Sequence, residues 1–415
     1  MKAKSPLNLA ALAVLLALAP PAHTQTLNVL HTFEATDGAG PGALAIDATG
    51  NLYGSTTAGG IQNCSSVGRF CGTLFELTKQ NSSFSFHSLY QFQNNQDGFS
   101  PNSPLTIGPS GILYGSTLDA GIEGGWGTVF SLRPTCVDLG CRQLLWRKAI
   151  LWAFGECDGA GTNGGLVQDS AGNLYGTTVE MCGHTGQVYE LSPPKGLNSG
   201  WQKTSVHIFR GPDGRWPEGP VVFDTTGNLY GSTLGGGNLN LGTVYKLALQ
   251  GQTWSETLLH TFTGPDGIKP IGNLVRDGSG NLYGVTNGDS QPGGAFELTP
   301  TPGGGWKVLR LFSFQPGQGQ NLASGLVMDA NGNMYGVAGY GGTFGYGTVY
   351  KLSPTMGSWS YSKLYDFTGG SDGSNPQGPL VLDASGNLYG SSAAGGDLNC
   401  NNGMGCGTVW MLSPN

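Results

Sequence analysis

One non-repeated group of side chains in this sequence has the types needed for proton transfer. Glu156, Asp158, Glu180 and His184 stand near one another in the chain, beside Cys157 and Cys182. A histidine next to carboxylates can act as general acid and base. The same residues also read as a solvated pair of loops held by a disulfide, and the sequence favours that reading. The remaining acids recur too regularly to be catalytic. Asp47, Asp169, Asp224, Asp277, Asp329 and Asp383 each stand three residues ahead of a Gly-Asn pair, where an aspartate can hydrogen-bond the turn backbone. A second series, Asp37, Asp97, Asp158, Asp213, Asp266 and Asp372, is followed each time by Gly, and the sixth unit has Pro316-Gly317 instead. One carboxylate per unit could ring a cation, but each segment lacks the closely spaced oxygens that calcium takes, so turns are expected here too. His31, His207 and His260 occupy a position filled elsewhere by Tyr90, Trp152, Phe312 and Tyr365. Ring packing, not metal binding, is the expectation for them. Neither a metal site nor a cofactor follows from these residues.

The eight cysteines fall in local pairs, Cys64/Cys71, Cys136/Cys141, Cys157/Cys182 and Cys400/Cys406. Their spacings do not match a doubled Cys-x2-Cys zinc site, and disulfides in an oxidising compartment are the expected state. The aromatics that do not repeat are Phe70, Phe99, Trp126, Trp216, Tyr340, Phe344 and Tyr346, set among Gly and Asn. Exposed rings of this kind suit stacking on sugars or holding a protein partner. Trp126 and Trp216, in short Gly/Pro-rich segments, carry this expectation best.

The elements that position these residues come from a repeat. Asn-Leu-Tyr-Gly occurs at 51–54, 173–176, 228–231, 281–284 and 387–390, with variants at 112–115 and 333–336. The tyrosines, Tyr53, Tyr114, Tyr175, Tyr230, Tyr283, Tyr335 and Tyr389, are spaced by 61, 61, 55, 53, 52 and 54 residues. Units of this length with strand-like content predict β-propeller blades. Each unit holds four strands: A, a short apolar run ending in Asp; B, starting at Asn-Leu-Tyr-Gly; C, Gly-Thr-Val-Tyr/Phe-x-Leu; and D, starting at an aromatic and ending at Phe, as in Trp306–Phe314. In strand D, pairs such as Trp254/Phe262 are eight apart, which predicts one shared strand face. The last unit stops after strand C, and the segment before the first unit, 26–33, reads as a lone strand D. Joining them predicts an all-β, seven-bladed propeller closed by both ends of the chain, one domain over 25–415. The long, variable D–A and B–C loops then share one face, where a ligand site is expected. The residues at the start of strand A, such as Gly42-Ala43, Gly219-Pro220 and Gly378-Pro379, include no carboxylate or histidine. That weakens a metal-dependent enzyme reading.

Composition narrows the function classes. The chain has 415 residues, 73 of them Gly, only 11% charged residues and a net charge of −7. The glycine content suits many tight turns, and no basic stripe offers itself to nucleic acid or anionic lipid. Residues 1–24 read as a secretory signal, with Lys2 and Lys4 ahead of a short apolar run and small residues near the cleavage point. Removing them takes the net charge from −7 to −9. The expectation is a secreted or periplasmic protein cut near residue 24, with no membrane insertion in its mature form.

The string Asp-x-x-Gly-Asn-Leu-Tyr-Gly, a Gly-Gly loop, Gly-Thr-Val-(Phe/Tyr)-x-Leu and Phe-x-Gly-x-Asp-Gly resembles the GloVer tandem-repeat family over essentially the whole mature chain. That resemblance implies export and a repeat fold, and it supplies no catalytic residues. More loosely, Gly-Asn-Leu-Tyr is similar to the blades of gluconolactonase-like and streptogramin-lyase-like propellers, which implies a hydrolase or lyase as the alternative. The reading from sequence is a monomeric binding module for extracellular glycans or surface proteins.

Overall fold

The computed structural model describes residues 25–415 apart from 62–70, 94–96, 120–124, 138–143, 156, 163, 197–198, 289–292, 319–321, 323–324 and 414–415. Seven four-stranded antiparallel sheets form a ring, each running A-B-C-D in space as in sequence. The protein is a seven-bladed β-propeller. Its seventh blade takes strands A to C from Ser374–Leu382, Leu388–Ala394 and Thr408–Leu412, and strand D from Leu27–Thr32. Leu27 lies opposite Leu412 and Thr32 opposite Thr408, so the chain ends close the ring by hydrogen bonding, as the sequence predicts. Among the described residues no helix is long and apolar enough to cross a membrane.

The repeated residues each have a mechanical role. In the A–B turn, one Asp47 oxygen accepts the N–H groups of Thr49 (2.8 Å) and Asn51 (2.9 Å), and the other accepts Asn51 Nδ2 (3.0 Å) and the Tyr53 hydroxyl (3.3 Å). Asp224 and Asp383 bind Tyr230 and Tyr389 in the same way. The repeat tyrosine is therefore tied to the turn aspartate. Partial burial raises the pKa of Asp47, but the hydrogen bonds from Thr49 and Asn51 outweigh it and hold the carboxyl below its ordinary value.

The glycine after the tyrosine faces a C-strand aromatic of its own blade. Gly176 lies opposite Tyr189, and a Cβ there would sit 2.5 Å from the Tyr189 hydroxyl and 3.0 Å from Leu166. Phe75, Phe130, Tyr245, Phe296, Tyr350 and Trp410 repeat the contact, each at most 1% exposed. The missing side chain admits the largest rings of the core.

Strand D departs from the sequence expectation. Its pairing with strand C is interrupted by a bulge in all seven blades, as at His260 and Leu258, which oppose Val244 and Tyr245. One extra residue reverses the alternation of side chains. Residues eight apart thus point to opposite faces. Trp254 meets Tyr175 of the preceding blade, while Phe262 meets Phe296 of the following one. Each strand D clamps both neighbours rather than one.

Candidate functional site

The D–A loops are built on a second repeated aspartate. Asp213 Oδ1 accepts the Arg210 N–H (2.7 Å) and Oδ2 pairs with His207 Nε2 (3.1 Å). Asp37 and Asp266 pair with His31 (3.0 Å) and His260 (2.7 Å). Asp97, Asp158 and Asp372 take their hydrogen bonds from Tyr90, Trp152 and Tyr365. The histidines thus do more than pack: their position is a donor slot for the loop aspartate. The loop from the fifth blade into the sixth is informative. Phe312 has no donor, and Gln318, not Pro316-Gly317, stands in the aspartate's place, its side chain accepting the Gln315 N–H at 2.8 Å. Donor and charged acceptor are lost together.

Three residues after each aspartate the backbone turns left-handed. The residues there are Gly40, Ser100, Gly161, Trp216, Lys269 and Asn375, with φ between +51° and +67°. Glycine adopts this conformation freely, whereas other residues bear about 1–2 kcal/mol. Two hydrogen bonds hold it. The Trp216 N–H donates to Thr185 of the preceding blade (2.8 Å) and its carbonyl accepts from Leu234 (3.1 Å); Lys269 does the same with Leu241 (2.7 Å) and Asn287 (3.0 Å). The surrounding residues repeat, but this slot varies in chemistry from blade to blade.

These loops surround a concave mouth on the propeller axis, a cavity of ≈ 440 Å³. Its floor is a ring of strand-A starts so close that Gly164 has the Gly219 carbonyl 2.7 Å from where a Cβ would be, and Gly378 has Ala43 at 2.6 Å. Little room is left for side chains there, which is why most residues read as axial are small; Asn273 is the exception, its Nδ2 donating to the Leu326 carbonyl at 3.1 Å. The polar lining comes from one step earlier in the chain: Asn102, Glu218 and Gln377, with Lys269 and Asn287 beside them. The sequence expectation of an axis without a carboxylate is corrected by Glu218. Its carboxylate is reached by solvent but sits within the concave mouth, and this partial desolvation alone raises its pKa.

The other expected residues divide. Trp126, Trp216, Tyr340, Phe344 and Tyr346 are exposed on loops, and Trp216 carries the Arg215 guanidinium 5.0 Å from its ring. Phe99 is 8% exposed and packs with Tyr53, Leu105 and Phe130; it bridges Asp119 and its ring points into the core, so it is no surface ring. Phe70 and Glu156 lie outside the described residues. Asp158 is held by Trp152 Nε1 (2.6 Å) and Lys203 Nζ (2.6 Å), a loop-building role like that of its repeats. Glu180 is exposed and its backbone pairs with Ala160; His184 bridges Met181. Among the described residues no group of three or more His, Cys, Asp or Glu is placed to hold a metal ion. Cys157–Cys182 and Cys400–Cys406 are disulfides. Cys71 and Cys136 are disulfide-bonded as well, while Cys64 and Cys141 lie outside the described residues.

Ring closure and seven equivalent sheets define a repeat-built β-propeller. The chain belongs to the Gloeobacter/Verrucomicrobia repeat family, whose sequence model matches residues 17–199 and 182–410. Its fold is similar to that of a Bacteroides uniformis protein named as a 6-phosphogluconolactonase (11% identity, TM-score 0.52, covering 78% of this chain and 83% of that one). It is also similar to a Thermus thermophilus protein named as an oxidoreductase (glucose dehydrogenase) (16% identity, TM-score 0.44, 94% and 99% covered). A Dyadobacter fermentans protein of unknown function is similar at 10% identity and TM-score 0.46, with 93% and 97% covered. Such identities show a shared fold alone. No curated protein matches the chain.

Proposed function

We propose that this is an exported binding module that holds extracellular glycans at the axial mouth of its D–A and B–C loop face. The observation that carries the reading is the left-handed slot. Two blades fill it with glycine, yet the fourth and fifth fill it with Trp216 and Lys269, at a backbone cost that a purely structural turn would avoid. Lys269 lines a cavity of the size that small ligands occupy, together with amides, the apolar faces of Pro220, Ile271 and Pro379, and Glu218, which follows Trp216 by two residues. An aromatic plane beside amides matches the alternating CH faces and hydroxyls of a sugar. The disulfides and the signal-like residues 1–24 support an extracellular setting.

A surface protein is the second reading, favoured by the exposed Tyr340, Phe344 and Tyr346 on one loop of the sixth blade. A glycan array of the mature protein with Trp216→Gly beside it separates the two. Glycan binding at least about tenfold weaker in the variant is expected. The variant's melting temperature should hold, because relief of the left-handed strain (about 1–2 kcal/mol) offsets the added freedom of the unfolded chain (about 0.4–1 kcal/mol) and the lost Arg215 contact. No binding to any glycan by the wild type would reject the glycan reading and leave the protein partner.

A further inference from the structure

Taking the glycan reading of the axial mouth as its basis, we infer that Glu218 is the recognition residue for a protonated amine, so that the preferred ligand is a glycan containing free amino sugars. Glu218 is the one carboxylate lining this cavity among the described residues. It has no hydrogen-bond or ion-pair partner among the described residues, and burial is the sole cause that shifts it. The repeated loop aspartates of this face differ in that Asp37, Asp97, Asp158, Asp213, Asp266 and Asp372 all bind side chains of their own loops and strands.

Lys269, the cation described at the same cavity, already has an interaction of its own. Glu218 is left as an uncompensated charge in a partly desolvated concavity. A ligand that neutralises it with a charge-assisted hydrogen bond gains about twice what a neutral donor would. A metal ion is a poor fit, since a single carboxylate falls short of the six to eight oxygens that calcium takes. The loop also fixes the geometry. Glu218 follows Trp216 and Pro217, and the Trp216 backbone is hydrogen-bonded on both sides, so the carboxylate is carried to the cavity by an anchored segment.

The test is calorimetric titration of the mature protein with three matched β-1,4-linked tetramers, of glucosamine, N-acetylglucosamine and glucose, against wild type and Glu218→Gln. The wild type is expected to prefer the glucosamine tetramer by about tenfold or more over the acetylated one under conditions where the amine is protonated. Glu218→Gln should erase that preference and leave binding of the neutral tetramers in place, at an unchanged melting temperature. Binding of neutral tetramers with no amine preference in the wild type, or a preference that survives in Glu218→Gln, overturns the role of Glu218 and spares the glycan reading. Binding of none of the three overturns both.

Discussion

At the scale of single residues, the fold reuses a few positions and changes their chemistry. Lys148, Lys203 and Glu256 all lie opposite the same strand-C leucine, in successive blades. Lys148 and Lys203 reach the loop aspartates Asp97 and Asp158 at 2.7 and 2.6 Å. Glu256 faces Asp213 instead. Burial first, and then the negative charge of Asp213, push Glu256 up to about 7, and its Oε1 is buried without a hydrogen-bond partner among the described residues. His207, paired with Asp213, is lowered by burial. A carboxyl raised in the native state keeps a proton that the unfolded chain has already released, so stability falls as pH rises from about 4.3 to about 7. Glu256→Lys should remove that dependence and raise the melting temperature at pH above about 7, as followed by thermal denaturation across pH. A variant that keeps the wild-type pH profile would show that Glu256 is not the group responsible.

At the scale of elements, the blade depends on the strand-B glycine. Gly176→Ala would place a methyl group 2.5 Å from the Tyr189 hydroxyl, and overpacking of this kind costs about 1–3 kcal/mol. Chemical denaturation should show that loss, whereas Gly227→Ala at the exposed A–B turn, where a Cβ meets nothing within 4 Å but φ is +85°, isolates the backbone cost alone. No loss in Gly176→Ala would mean that packing at Gly176 is not the constraint. Much of this was legible in the sequence, because each role recurs blade after blade: the turn aspartates, the glycine, the aromatic at the end of strand D and the closure of the seventh blade. The bulge in strand D was not legible, since its extra residue has no distinctive type and an even spacing reads as one face. The donor role of His31, His207 and His260 was half legible. Their alternatives Tyr90, Trp152 and Tyr365 share an N–H or O–H, and the one that lacks it, Phe312, leads into the one D–A loop without the aspartate.

At the scale of the whole molecule, ring closure rests on Leu27–Thr32, which covers the outer edge of Thr408–Leu412. Phe33, fully buried, then packs on Phe75 of the first blade. Deleting residues 25–33 would expose a strand edge and a large core void together, and such edges pair with other chains. The truncated protein should lose cooperative thermal unfolding and elute as aggregates in gel filtration; a monomer with a wild-type transition would contradict closure by this strand. The site itself was less legible than the fold. The search for axial groups stopped at the start of strand A, where packing leaves little room for side chains, while Trp216, Glu218 and Lys269 stand just before it. What could have revealed them is that Asp-Gly-x-X-Pro repeats around a position that does not.

The most direct measurement of the central claim is amide hydrogen exchange of the mature protein with and without its tightest-binding oligosaccharide. The account predicts added protection in the loops at 211–218 and 267–273, around the axial mouth, with none at the A–B turns on the opposite face. Protection confined to the A–B turns or to the outer strands would contradict it.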